Sequence, residues 1–198
     1  NYYSRNYSTS HYDKLDYTMD IKPFRTLDIE VFGNRTYTKS MSQQLDIIDN
    51  TFSDTPQSVI GNFSISHFMI KSSFKDKDAV FQEFKDNRDI ISQRLAAETG
   101  GDINGFGATN QDVVLPAFLA AYSGTSASSV KLGAFRNTPI PNWRITYRGL
   151  NEIPWIKENF RSVILEHSYR SVYSILSFTN NLKYDKTNPF GNSNRDIA

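Results

Sequence analysis

The sequence predicts a mainly β fold: antiparallel strands of a partial transmembrane β-barrel, interrupted by a helical insertion. Three observations lead there. Over residues 141–150 apolar and polar side chains alternate without a break. A Pro-containing linker (151–160) then leads into a second extended run over 161–180. Side chains on a strand point to opposite faces with period two, so each run has one apolar and one wet face. The second run exceeds the usual length of a soluble strand, and two long strands joined by a short connection are the repeating unit of an outer-membrane barrel. The second observation is charge parity. Across 15–22, 27–31, 62–69, 142–149 and 162–175, the 22 odd-numbered positions carry no Asp, Glu, Lys or Arg, whereas the 21 even-numbered positions carry nine. A Lys or Arg facing lipid at the midplane costs roughly 2–4 kcal/mol, and one facing an aqueous lumen costs little. A soluble sheet with one buried face sorts charge in the same way, so the count alone leaves both architectures open. Third, the apolar period changes from two to that of a helix at about residue 75, which sets the insertion apart.

Taken in order, residues 2–12 are aromatic-rich and read as strand or strand and loop. Leu15, Tyr17, Met19 and Ile21 alternate with Asp16, Thr18, Asp20 and Lys22. The ladder breaks at Pro23-Phe24-Arg25-Thr26, because Pro has no N–H to offer. Leu27, Ile29 and Val31 resume on one face, so a hairpin with a tight turn is expected. Residues 42–58 are polar and read as a longer loop; a third run over 62–70 puts Phe63, Ile65 and Met69 on one face. Val80, Phe84, Ile91 and Leu95 share one helical stripe, with Gly100-Gly101 as its stop. Residues 99–110 are Gly- and Asn-rich loop. Residues 113–122 form a short apolar helix with Pro116 near its start, followed by a small polar loop over 123–129. The expected organisation is barrel strands and loops over 1–74, a mainly helical insertion over 75–140, a strand hairpin over 141–184 and a polar loop over 185–198.

Composition excludes more than it selects. A net charge of +1 over 198 residues supports no nucleic-acid groove, and the absence of Cys removes disulfides, thiolate metal sites and Cys nucleophiles. No apolar run approaches the roughly 20 residues that a spanning helix requires. A mean hydropathy of −0.50 usually marks a soluble chain, but barrel strands are half polar and escape such scans. The 14% aromatic content fits the girdles of a barrel and equally the aromatic preference of any β-rich fold. The chain opens at Asn1 without Met and closes in a polar loop, so a piece of a larger protein is expected.

No catalytic residue, metal site or cofactor is expected. His11, His67 and His167 are far apart and lack metal-ligand spacing; the glycines over 100–107 lack the Lys-Ser/Thr of a P-loop and the acidic spacing of an EF-hand. Ser123 lies outside a Gly-x-Ser-x-Gly elbow, and Asp28 with Glu30 reads as solvated or lumen-facing charge. In a barrel the lumen-facing set would be Asp16, Asp20, Lys22, Asp28, Glu30, Arg144, Arg148, Glu166 and Arg170. The segment Leu115, Pro116, Phe118, Leu119 and Tyr122 reads either as a cap or plug helix at the barrel mouth or as a core helix of a soluble subdomain.

Three phrases also resemble one family. Leu115-Pro116-Ala117-Phe118-Leu119-Ala120-Ala121-Tyr122, Pro141-Asn142-Trp143-Arg144-Ile145-Thr146-Tyr147-Arg148-Gly149-Leu150 and His167-Ser168-Tyr169-Arg170-Ser171-Val172-Tyr173-Ser174 look like the C-terminal part of the SprA (Sov) family. That family comprises giant outer-membrane proteins of Bacteroidota gliding motility and type IX secretion. The resemblance covers most of the chain and is densest over 110–184. It implies a non-enzymatic, protein-conducting channel in the cell outer membrane, with the lipid bilayer, secreted cargo proteins and other secretion-system subunits as partners and no nucleic acid. Two other readings remain: a different outer-membrane barrel, such as a nutrient receptor or assembly protein, and a soluble β-rich binding or adhesive domain.

Overall fold

The first half-hundred residues build one very long hairpin. Strand β1 (Tyr2–Phe24) runs antiparallel to β2 (Leu27–Ile48), from Tyr2 opposite Ile48 down to Phe24 opposite Leu27. The computed structural model describes residues 2–48, 51–54, 56–99 and 106–180. The turn is only Arg25-Thr26. Pro23 stays inside β1, within the register shift between Ile21 and Phe24, where a missing N–H is tolerated.

The second edge of β2 is shared by three strands in succession. Strand β5 (Asn142–Tyr147) pairs with its Leu27-to-Phe32 portion, β4 (Ser58–Ser66) with Arg35 to Ser42, and β3 (Thr51–Asp54) with Leu45 to Ile48. Outside them, β6 (Leu165–Tyr169) pairs with β5 and β7 (Val172–Thr179) with β4; every pairing is antiparallel. Strands β4 and β5 therefore follow one line along β2 in one direction, as a single strand cut in two. Strands β6 and β7 are likewise one line, broken only at Arg170-Ser171. The underlying plan is a four-row antiparallel meander. The sheet is open: β1 lies at one edge, β6 and β7 at the other, and they are not joined.

The cut is closed by polar groups. Ile140 N donates to Ser66 O (3.0 Å) and His67 N to Ser171 O (3.2 Å), so both ends of the excursion over 67–141 meet at the sheet. Ser66 Oγ donates to Asn34 Oδ1 and accepts from Asn34 N, both at 2.9 Å. Asn142 donates through Nδ2 to Ser66 Oγ (3.3 Å), and its Oδ1 accepts from Ser171 N (2.8 Å). Ser66 and Asn142 are buried, so these bonds satisfy groups that water does not reach.

The excursion folds as two helices. In α1 (Lys77–Thr99) the Asp76 carboxylate caps the first turn by accepting from Asp78 N and Ala79 N, and the expected stripe of Val80, Ile91 and Leu95 is buried with Phe84 half-buried beside it. Helix α2 (Gln111–Ser123) starts where Asn110 Oδ1 accepts from Asp112 N (2.9 Å) and stops at Gly124, whose φ of +66° suits a left-handed C-cap. Its Val113, Ala117, Leu119 and Ala120 join Ile91 and Leu95 over Phe63, Ile65 and Tyr173 of the sheet, in one apolar core.

Several expectations are corrected. Residues 42–58 are not a loop: β2 continues to Ile48, β3 follows, and β4 begins at Ser58. There Ser8 and Ser10 face Ser42 and Ser40, so pairing proceeds through the backbone without apolar alternation to announce it. The third run ends as a strand at Ser66, and Met69 reaches the core from beyond it. The 151–160 linker holds the end of a 3-10 turn (Gly149–Glu152) and a short helix, α3 (Pro154–Asn159). The Gly100-Gly101 stop and the 185–198 loop lie outside the described residues.

Asn142→Leu removes both of its hydrogen bonds and leaves Ser171 N–H unsatisfied, so it should lower unfolding stability by about 1–3 kcal/mol. The exposed Asn62→Ala should stay within about 0.5 kcal/mol in the same denaturant titration.

Candidate functional site

Residues directly opposite across paired strands share a face, and the registers carry parity through the sheet: Asp20 faces Glu30, Glu30 faces Arg144, and Thr146 faces Glu166. Even-numbered charges from four strands therefore meet on one face. Arg148 pairs with Asp28, and Lys22 Nζ reaches the same carboxylate at 3.2 Å. Arg144 bridges Glu30 (3.0 Å) and Glu166 (3.7 Å) across β5. Asp20, Lys22, Asp28, Glu30, Arg144 and Thr146 line a shallow groove of about 330 Å³. Asp28 and Glu30 are thus both engaged by cations rather than paired with each other. Asp16 sits higher on the same face beside Lys14 (2.7 Å), and Arg170 lies in the break between β6 and β7. These pairs are exposed, so solvent screens them and they contribute little to stability. Their effect is a hydrated surface of fixed charge.

The odd-numbered face behaves differently at its two ends. Toward Ile48 it lies under the helices. Toward the Arg25-Thr26 turn it is bare and mostly apolar: Leu15, Met19, Ile21 and Leu165 are exposed, Met19 by 58% and Leu165 by 59%, with Ile29, Val31 and Ile145 half-buried between them and one exposed polar residue, His167, opposite Ile145. The first charges on this face are Arg35, directly opposite Leu15, and Asp13 just above it, which pair with each other. Aromatic residues mark both limits. At the upper one, Trp143 stacks on Tyr169 (4.7 Å) with Phe68 against both, and Tyr17 covers Gly33, where any Cβ would overlap its ring. At the lower one stand Phe24, Tyr147, and the edge-to-face pair Trp155 and Phe160 (5.7 Å). Between these limits β1 runs from Tyr17 to Phe24, roughly 23–27 Å of strand, or about 19 Å along a barrel axis at the usual tilt.

The connection over 148–164 and the Arg25-Thr26 turn lie at the same end of the sheet, joined by Arg148 N donating to Thr26 O (2.7 Å). Helix α2 is at the other end and on the odd-numbered side. Leu119 and Pro116 are buried, while Leu115, Phe118 and Tyr122 are half-buried, with Phe118 stacked on Tyr122 at 4.3 Å. The segment expected either as a cap or plug or as a core helix is thus packed into the apolar core, across the sheet from the charged groups of the even-numbered face.

Sequence reading missed the Asn34, Ser66, Asn142 and Ser171 cluster, whose members sit in four separate segments. It also missed a second polar cluster around Lys131 and Arg136. The available signal was that residues 113–151 hold four basic and no acidic side chains.

Scanned against protein-family models the chain matches none, and a search of curated proteins finds no match either.

A double-mutant cycle on Glu30→Gln and Arg144→Gln should return a coupling below about 1 kcal/mol, as for an exposed pair. A coupling of several kcal/mol would show that this face is dry.

Proposed function

We propose that the chain is a wall segment of an outer-membrane β-barrel of the SprA (Sov) type, a translocon that passes folded proteins outward in type IX secretion with gliding motility downstream. The observation that carries the barrel half is the bare odd-numbered band: free of Asp, Glu, Lys and Arg between Tyr17 and Phe24, apolar and exposed, and bounded by aromatic residues at both ends. On a soluble surface such an area would be an aggregation hazard; against lipid it is a requirement. The even-numbered face then lines an aqueous lumen, where Asp16, Asp20, Lys22, Asp28, Glu30, Arg144, Arg148 and Glu166 stay hydrated and present mixed charge to a passing protein. The activity is passage without a reaction. The export half is carried by the three phrases that resemble the family, which fall on α2, on β5 and its exit, and on β6–β7.

In this arrangement the two short connections, Arg25-Thr26 and residues 148–164, are periplasmic, and the insertion stands outside the cell. The helices lie outside the wall. That replaces the plug reading of Leu115, Pro116, Phe118, Leu119 and Tyr122 with a brace: α2 seals the apolar face of those strand portions that emerge from the bilayer.

The test places one substitution on neighbouring residues of β5. Ile145→Arg puts a cation against lipid and should sharply reduce the protein recovered in the outer membrane, at a cost of roughly 2–4 kcal/mol, whereas Thr146→Arg faces the lumen and should leave it near wild type. Equal recovery of both would remove the barrel reading. Depleting the protein should leave folded cargo in the periplasm; normal secretion under depletion would remove the export reading.

A further inference from the structure

A cleft of about 410 Å³ opens where the insertion returns to the sheet, between the end of α2 and the loop over 124–141. Its cations are Lys131 and Arg136, and no carboxylate lines it. Among the described residues neither cation enters an ion pair; the Arg136 guanidinium donates once, to Lys131 O (2.9 Å), which fixes its position and leaves its other N–H groups for a ligand. Arg136 is half-buried, and burial pushes its pKa below the usual arginine value. The half-buried His67, on the same lining, is held below the ordinary imidazole value by burial and by the Arg136 charge. Beside Arg136 the Tyr173 hydroxyl is buried with no hydrogen-bond partner among the described residues.

The rest of the lining supplies donors. Ser123, Thr125, Ser129 and Thr138 contribute hydroxyls; Ser123 already donates to Thr125 (2.9 Å) and Ser129 to Ser126 O (3.3 Å), which leaves Thr125 and Thr138 as the donors for a ligand. Lys71 packs along Gly124 at the rim, with Nζ 3.3 Å from Gly124 O. Arg94 fixes the loop by donating to Ala127 O (2.7 Å) and Val130 O (2.9 Å). A guanidinium, an ammonium and the Thr125 and Thr138 hydroxyls converging without a carboxylate suit a tetrahedral oxyanion, which offers acceptors in several directions at once.

We propose that this cleft binds a phosphate group, of the kind carried by a membrane lipid headgroup or by free phosphate. Location favours the headgroup, a choice that rests on the barrel reading. His67 and Ile140 bond to Ser171 and Ser66 at the junction, and Phe68, the next residue, and Trp143, three residues on from Ile140, belong to the upper aromatic belt. The cleft thus stands on the apolar-face side directly above that belt, at the depth where lipid phosphates lie, and Val130 and Ile140 give it apolar walls.

The test is calorimetric titration of the full chain with inorganic phosphate and with dihexanoyl phosphatidic acid below its micelle concentration, at constant ionic strength. Wild type should bind one equivalent saturably. Lys131→Gln, an exposed change, and Arg136→Gln should each weaken binding roughly tenfold with the circular dichroism spectrum unchanged, while Arg161→Gln should have no effect. Tighter binding of the lipid by roughly tenfold assigns the site to a headgroup; equal binding assigns it to free phosphate, and the site stands in both cases. Non-saturable heats, or wild-type affinity in Lys131→Gln, would overturn the proposal. No bilayer enters this measurement, so its failure and that of the Ile145 and Thr146 comparison are separately visible.

Discussion

Everything distinctive in this fold depends on one junction, where Ser66, Asn142, Asn34 and Ser171 hold a strand together after some seventy residues have been inserted into it. Cutting a strand in the middle of a sheet leaves backbone N–H and C=O groups without their ladder partners, each costing about 1–3 kcal/mol if buried. Here the backbone bonds from Ile140 to Ser66 and from His67 to Ser171 continue the ladder up to the cut. The Asn and Ser side chains supply the rest. Because the insertion leaves and returns at the same point, it folds as a closed excursion and the register of β5 against β2 is unaffected. The break in β6–β7 at Arg170-Ser171 falls opposite the cut for the same reason: Ser171 turns its N–H to Asn142 instead of to a strand neighbour.

The junction also divides one sheet face into two environments. Above it, Phe63, Ile65, Tyr37 and Tyr173 find apolar partners in Ile91, Leu95 and α2, and Phe135 packs edge-on against Tyr37 and Phe63. Below it, Met19, Ile21 and Leu165 have none and stay exposed. Burying a side chain of that size stabilises by about 1.5–3 kcal/mol, so the bare stretch represents a large unsatisfied demand that either lipid or another protein surface must meet. On the opposite face charged and hydroxyl-bearing residues run through both halves, joined above the junction by the exposed apolar side chains of Ile60, Val172 and Leu176. That asymmetry, with one face largely polar and the other apolar, partly under the helices and partly bare, is what the barrel reading addresses.

Much of this was legible in the sequence, and the gaps have physical causes. Parity placed Asp20, Asp28, Glu30, Arg144 and Glu166 together because strand period is fixed at two and the registers preserve it. The Val80, Ile91 and Leu95 stripe marked α1 because a single helical face meets the core. Residues 42–58 were misread since a polar hairpin pairs through its backbone and leaves no periodic trace. The joint line of β4 and β5 could not be read locally, because Ser66 and Asn142 are neighbours only through bonds to β2 and β7. The Leu115–Tyr122 helix was visible, but its side of the sheet depends on where Phe63 and Tyr173 point once paired.

The central claim is that the lower odd-numbered face contacts lipid while the even-numbered face contacts water. The chain contains no Cys, so single cysteines can be introduced one at a time from Leu27 to Phe32 without background. In isolated membranes, a water-soluble maleimide should label cysteines replacing Asp28, Glu30 and Phe32. Those replacing Leu27, Ile29 and Val31 should stay unlabelled until detergent removes the lipid. Labelling of both parities alike in intact membranes would contradict the account.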